Sequence, residues 1–481
     1  MARCGDGIVT NEQCDDGNSV DTDDCTRACR LPVCGDRIVW SGHEACDDGN
    51  TVPGDGCSAT CRGEVVALVA GGRHTCALSS TKLVKCWGGN DLGQLGLGDW
   101  DDRGDGPGEL GSSLPAVDFG AGRSVKALFG TGYHHTCAVL DDDSLKCWGG
   151  NYFGGLGLED NEHRGDEPGE MGDALPVVAL GAGRHATQVA LGFERTCARL
   201  DDGSVKCWGV NSVGELGIGD ADDRGDDPGE MGDALPAANL GSGRQAIRVG
   251  TDGAHSCALL DDASVKCWGY GSLLGLGNLQ NLGDEAGEMG DALPALDFGT
   301  GRAVKQLFPG ATCVLLDDAS TKCWGQNEFG GLGLGDSLDR GDDPAEMGDA
   351  LPALDLGQGR SVVSLADTLY LESFRCALLD DGSVKCWGSN RSGQLGTGDT
   401  FARGDAPDEM GEALPPIDFG DGRRALALVK GIAHACALLD DRSVKCWGEN
   451  VTGTLGIGDT ARRGDEPGEL GNALPPVDLA F

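Results

Sequence analysis

Thr196-Cys-Ala-Arg-Leu-Asp-Asp-Gly-Ser-Val-Lys-Cys-Trp-Gly209 reads as a β-hairpin, and this stretch decides the fold. Two short apolar runs flank Asp202-Gly203, where glycine takes a positive φ at no steric cost. If Asp201 to Gly203 form a three-residue turn, Cys197 stands directly opposite Cys207. Opposed residues of a non-hydrogen-bonded pair have Cα atoms about 4.5 Å apart, near the lower end of disulfide reach. A bridge there staples the hairpin.

The closing Lys-Cys-Trp-Gly recurs seven times, with tryptophans at Trp87, Trp148, Trp208, Trp268, Trp324, Trp387 and Trp447. Successive gaps are 61, 60, 60, 56, 63 and 60 residues. A period this regular is one supersecondary unit repeated. Each tetrapeptide cysteine has a partner ten residues upstream. The expected bridges are Cys76–Cys86, Cys137–Cys147, Cys197–Cys207, Cys257–Cys267, Cys313–Cys323, Cys376–Cys386 and Cys436–Cys446.

Around the hairpin, the third unit adds an inner apolar strand near Val189 to Gly192. A glycine-dense loop, Gly209 to Asp220, marks close backbone approach. An acidic stretch follows, Ala221 to Glu230, and a last short strand, Ala237 to Leu240, comes after Leu235-Pro236. Each unit therefore offers about four strands. Seven such units predict an all-β fold, a closed seven-bladed β-propeller. An open β-solenoid is the alternative, but no capping repeat is visible at either end. The tryptophans read as packing between blades.

The 481 residues divide into a cysteine-dense segment, 1–63, and the propeller, 64–481. Abundant glycine, 83 residues, and 5% aromatics fit many short strands joined by tight turns. The net charge is −41, with −7 in the first 63 residues and −34 in the repeats. Such a surface repels phosphate backbones, which excludes direct nucleic-acid binding and favours basic partners. No run of 18 apolar residues exists, so membrane insertion through a helix is not expected. Paired cysteines, 22 in all, imply an oxidising, extracellular or cell-surface setting. The chain opens Met1-Ala-Arg-Cys4 without the regions of a signal peptide, so the expectation is a missing leader, a fragment or a mis-assigned start.

His74-Thr-Cys-Ala-Leu78 with Trp87-Gly-Gly-Asn-Asp-Leu-Gly-Gln-Leu-Gly-Leu-Gly-Asp99 resembles the regulator of chromosome condensation repeat, and Trp387 to Asp399 repeats it. The resemblance implies a seven-bladed propeller over some 415 residues. The family's founding eukaryotic member is a nuclear exchange factor for a small GTPase that docks on chromatin; cysteine pairs and acidity fit neither role. The resemblance also takes in secreted bacterial propellers, among them an inhibitor of β-lactamases. Unit four departs from the motif at Trp268 to Asn278, where the Asn and Asp are missing. Residues 1–63 look like two copies of a cysteine-rich repeat of secreted myxobacterial proteins, with Cys14-Asp-Asp-Gly-Asn18 and Cys46-Asp-Asp-Gly-Asn50. Four cysteines per copy allow three connectivities. The nested one, Cys14 with Cys25 inside Cys4 with Cys29, is the expectation.

Asp15, Asp16, Asn18, Asp23 and Asp24, echoed by Asp47, Asp48, Asn50 and Asp55, form oxygen-rich loops and are calcium candidates; no other cofactor is indicated. The competing reading is a turn held by Asx hydrogen bonds. Arg-Gly-Asp, which resembles the integrin-recognition motif, recurs in six units, from Arg103-Gly-Asp105 to Arg463-Gly-Asp465, and recurrence at one repeat position argues for a structural role over an adhesive one. His74, His135, His255 and His434 share one position and read as satisfied structural histidines. No catalytic constellation is visible. The functional expectation is an extracellular binding scaffold that engages a protein partner through propeller loops, without catalysis. The alternatives are a secreted inhibitor of an extracellular enzyme and, disfavoured, a GTPase exchange factor.

Overall fold

A computed structural model describes residues 13–14, 18, 20–23, 25–31, 33–41, 44–130, 132–367 and 374–481. Seven three-stranded antiparallel sheets account for the repeats, each contiguous in sequence. Blade one holds β1 (Val65–Ala70), β2 (His74–Ser79) and β3 (Val84–Gly88); blade two holds β4 (Val125–Phe129), β5 (His135–Leu140) and β6 (Leu145–Gly149). Blade three holds β7 (Ala186–Gly192), β8 (Arg195–Leu200) and β9 (Val205–Gly209); blade four holds β10 (Ala246–Thr251), β11 (His255–Leu260) and β12 (Val265–Gly269). Blade five holds β13 (Val304–Leu307), β14 (Cys313–Leu316) and β15 (Thr321–Cys323). Blade six holds β16 (Val362–Asp367), β17 (Phe374–Leu379) and β18 (Val384–Gly388); blade seven holds β19 (Ala425–Lys430), β20 (His434–Leu439) and β21 (Val444–Gly448). The first strand of each blade lines the axis, and β1 packs on both β4 and β19, so the ring is closed.

The hairpin register is the expected one. Cys197 faces Cys207, and Leu200 N–H bonds the Ser204 carbonyl at 2.8 Å around the turn. All seven cysteine pairs are bridged with Cα atoms 4.0 to 4.1 Å apart. Gly203 takes φ 80° as anticipated, but Lys82, Asp143, Ala263, Ala319 and Arg442 hold the same turn position at φ 66° to 69°. A left-handed non-glycine residue costs about 1 kcal/mol. The flanking strand pairing and the bridge enforce it.

The fourth strand is a correction. Beyond Leu235-Pro236 the chain makes one strand-like bond to its own blade, Ala238 N–H to the Val205 carbonyl at 2.8 Å. It then crosses to the next blade, where the Leu240 carbonyl accepts Lys266 Nζ at 3.1 Å. A segment that divides its hydrogen bonds between two blades cannot run as a ladder of either. It serves as a strap. The last strap closes the ring: Val477 N–H bonds Val444 O at 2.8 Å, Asp478 O accepts Gly111 N–H at 2.9 Å, and Leu479 O accepts Lys85 Nζ at 2.6 Å.

Each of the seven apolar clusters lies between blades, and in each the cystine of one blade packs with the tryptophan of the next, as Cys76–Cys86 does with Trp148. The tryptophans are fully buried. Each indole N–H reaches back to a carbonyl of the preceding blade, as Trp208 Nε1 to Gly155 O at 3.0 Å. Trp87 Nε1 bonds Thr454 O at 3.1 Å across the seam between the last blade and the first.

In the cysteine-rich segment Cys46–Cys57 lies nested inside Cys34–Cys61, and Cys14 pairs with Cys25. Cys4 lies outside the described residues. The segment touches the propeller at blade seven, where Arg442 Nη2 donates to Gly54 O at 3.1 Å, and at the chain end, where Gly63 N–H donates to Phe481 O at 3.2 Å.

Candidate binding face

Antiparallel hairpins put two kinds of loop on opposite faces. The Asp-Asp turns, such as Asp201–Gly203, lie on one face, held by ion pairs such as Arg184 to Asp202 at 3.0 Å. The turns between first and second strands and the glycine-rich loops after each tryptophan lie on the other.

The Arg-Gly-Asp loops are architectural. Arg224 pairs through its backbone with Gly209, and its guanidinium bonds Asp220 at 2.7 Å and the carbonyls of Asp222 and Asp223. Gly225 N–H donates to Glu230 at 2.8 Å. In unit one the Asp105 carboxyl sits beside Glu109; burial and the Glu109 carboxyl push Asp105 up, while the amides of Gly106 and Gly104 hold Glu109 down against burial.

The histidines form part of a belt linking blades. His74 Nε2 lies 2.7 Å from Thr136 Oγ1, and His135 Nε2 2.9 Å from Thr196 Oγ1. Thr196 donates its hydroxyl hydrogen to Gly155 O at 2.8 Å, so His135 Nε2–H is the donor in that pair. Burial pushes His74 and His434 down to about 3 and His135 to about 4, so all three are neutral. Gly71, Gly132 and Gly431 precede these histidines by three residues, where a Cβ would overlap the imidazole ring. Where the histidine is absent the belt changes chemistry. Arg195, fully buried, bonds Thr251 Oγ1 at 2.7 Å, and Lys430 lies over the Phe374 ring at 4.0 Å. Buried Asp367, pushed up to about 6 by burial, lies at the end of the axial cavity of about 260 Å³.

The calcium candidates are engaged with the backbone. Asp47 accepts amide hydrogens from Gly35, Asp36, Arg37 and Gly49 at 2.8 to 3.0 Å. Burial opposes its ionisation, but those four bonds hold its carboxyl below the usual range. Asp48 accepts from Asn50 and Cys57, and Asn50 donates to Asp55 at 2.9 Å, as Asn18 does to Asp23. Asp15, Asp16 and Asp24 lie outside the described residues.

Blades two and three carry an aromatic cluster. Tyr133 stacks edge-on with His134 and Phe193, and Tyr152 with His163, at centroid distances of 4.2, 5.3 and 4.8 Å. His134 Nδ1 lies 2.7 Å from the buried Glu194 carboxylate. Tyr152 and Phe153 stand 44% and 46% exposed beside this cluster. The signal in the sequence is local: unit two has Tyr133-His134 and Tyr152-Phe153 where unit one has Gly72-Arg73 and Asp91-Leu92.

The regulator of chromosome condensation (RCC1) repeat matches residues 65–94, 127–154, 186–215 and 374–394, and the domain of unknown function DUF4215 matches residues 26–62. The ultraviolet-B receptor UVR8 of Arabidopsis thaliana is 26% identical over 412 residues, covering 83% of this chain and 80% of that protein. The E3 ubiquitin-protein ligase HERC2 of Homo sapiens is 26% identical over 272 residues, 56% of this chain but 5% of its own length. Prp20p of Saccharomyces cerevisiae shares the fold at a TM-score of 0.53 and 18% identity, covering 78% of this chain and 81% of Prp20p. Among the described residues no helix is long and apolar enough to cross a membrane. The repeats and the fold together make this chain an RCC1-like seven-bladed propeller with a DUF4215 segment at its N-terminal end.

Proposed function

We propose that this chain is a non-catalytic binding scaffold that works in an oxidising, extracellular or cell-surface setting and holds a protein partner on its glycine-rich loop face. The supporting observation is the seven hairpin bridges, each buried against the next blade's tryptophan. Among the described residues no cysteine is free. A cystine at the centre of every blade interface ties assembly of the ring to oxidation. The relatives fit a binding role: Prp20p carries this fold and binds Gsp1p and histones. The net charge of −41 favours a basic partner.

Mass mapping of the native protein, alkylated without reduction, tests the setting. Fourteen blocked repeat cysteines are expected. Free thiols at Cys197 and Cys207 in protein taken from its natural source would refute an oxidising location.

A further inference from the structure

Positive-φ phenylalanines occur at one repeat position in two units, Phe153 at 58° and Phe329 at 57°. The cause is local. In unit one Gln94 Oε1 accepts Leu92 N–H at 2.8 Å, and Glu215 and Gln394 do the same for Val213 and Ser392. Units two and five have Gly155 and Gly331 at that place and a left-handed residue two positions before it, whereas unit seven, with Thr454 bonded to Glu449 O, keeps Thr452 out of the left-handed region. A left-handed aromatic residue is strained, and strain of this kind is a pointer to function.

The two phenylalanines share their surroundings. Gly154 abuts the backbone of Gly225 and Asp226, and Gly330 that of Gly404 and Asp405. They differ in what covers the ring. Arg391, from blade six, sets its guanidinium 4.8 Å from the Phe329 centroid. Its counterpart in blade three is Ser212, which cannot reach. Phe153 is 46% exposed, and among the described residues no cation covers it. The molecule thus displays in blades five and six the contact that blades two and three leave open.

We propose that Phe153, with Tyr152 beside it, receives an arginine side chain of a basic partner segment, seated as Arg391 is seated on Phe329. The inference rests on the binding-scaffold reading and names the surface and the partner's chemistry. Charge agrees with it. The loop that turns against Phe153 carries Glu159, Asp160 and Glu162, and Asn161 Oδ1 bonds Gly154 N–H at 3.1 Å. On the other side the backbone of Asp226 of blade three abuts Gly154. A cation over an aromatic face is attracted by the ring quadrupole, and a carboxylate rim raises its local concentration.

The test uses the full oxidised chain and a glycine-flanked tri-arginine peptide, followed by calorimetry, with citrulline replacing arginine as the neutral control. Wild type is expected to bind the arginine peptide and not the citrulline one. Phe153→Gly, which suits the positive φ, should weaken binding about 3- to 30-fold, the span of a cation–π contact. Ser212→Arg should cover Phe153 from within and weaken it similarly. Arg391→Ser should bare Phe329 and raise the number of bound peptides from one to two. Equal binding by all variants would mean general attraction to the acidic surface and overturns the proposal, as does no binding by wild type. If these arms fail while a partner still binds with unchanged affinity to Phe153→Gly, this surface is wrong and the scaffold reading stands. Reduced repeat cysteines in the native protein would refute the oxidising location without altering the peptide result.

Discussion

His434 Nε2 and Thr75 Oγ1 lie 3.0 Å apart, although 359 residues separate them, and this bond joins the last blade to the first. It is the same contact that His74 makes with Thr136 and His135 with Thr196. This His–Thr bond holds three consecutive interfaces, among them the one that seals the ring.

Acid should loosen this belt. His74, His135 and His434 sit at about 3 to 4 in the folded chain, against about 6.5 when unfolded. The unfolded chain binds more protons, so their contribution is full above pH 6.5 and lost as pH falls toward the folded values. Asp367, at about 6 when folded, opposes them and gains as pH falls from 6. Three histidines against one carboxyl leave about two protons, or about 3 kcal/mol per pH unit between pH 6 and 4.5. Urea unfolding across that range gives the slope, and His135→Gln should flatten it by about one proton. A flat profile would show that the histidines are protonated in the folded state.

Trp208→Ala should cost about 3–5 kcal/mol, the range for emptying a buried aromatic site. Trp208→Phe should cost less, because Gly155 O keeps Thr196 Oγ1 at 2.8 Å as a donor. Denaturant midpoints of the two variants decide the order. Equal losses would mean that the indole hydrogen bond matters more than the packing.

Substitutions in Arg224-Gly-Asp226 should act on stability and not on cell adhesion. Arg224→Ala removes bonds to Asp220 and two carbonyls and should cost about 1–2 kcal/mol. Gly225→Ala should cost more, since φ is 93° and the added Cβ would stand 2.8 Å from Gly154 O. Thermal melts and an integrin adhesion assay separate the two roles; unchanged stability with lost adhesion would reverse the assignment.

The two chain ends should differ in weight. Removing 477–481 deletes the strap bonds to Val444, Gly111 and Lys85 and should open the ring. Removing 1–63 deletes the Gly54 and Gly63 contacts and should leave a folded propeller. Limited proteolysis under oxidising conditions compares them. An unfolded chain after loss of 1–63 would show that the leading segment completes blade one.

Salt should raise the melting temperature, because a charge of −41 repels itself and ions screen it. Calcium and magnesium at matched ionic strength should act alike, since the Asp47 oxygens already hold four amide hydrogens. A calcium-specific rise that Asp48→Asn and Asp55→Asn abolish would establish a true site.

Period, hairpin and cysteine register were legible in the chain itself, because they depend on neighbours within one unit. Asp202-Gly203 between two apolar runs sets the turn, and the turn sets Cys197 against Cys207. Blade count follows from counting Lys-Cys-Trp-Gly. Tertiary structure decided what depends on two units at once. Ala237 to Leu240 has a strand's composition, yet its bonds are divided between Val205 and Lys266, so it became a strap. The His–Thr belt joins positions about 60 residues apart, and no local pattern ties His135 to Thr196. The bare ring of Phe153 is likewise set by its neighbour, since it depends on Ser212 standing where Arg391 stands in blade six. Contacts of one unit with the next arise only when the ring closes and brings equivalent positions into register.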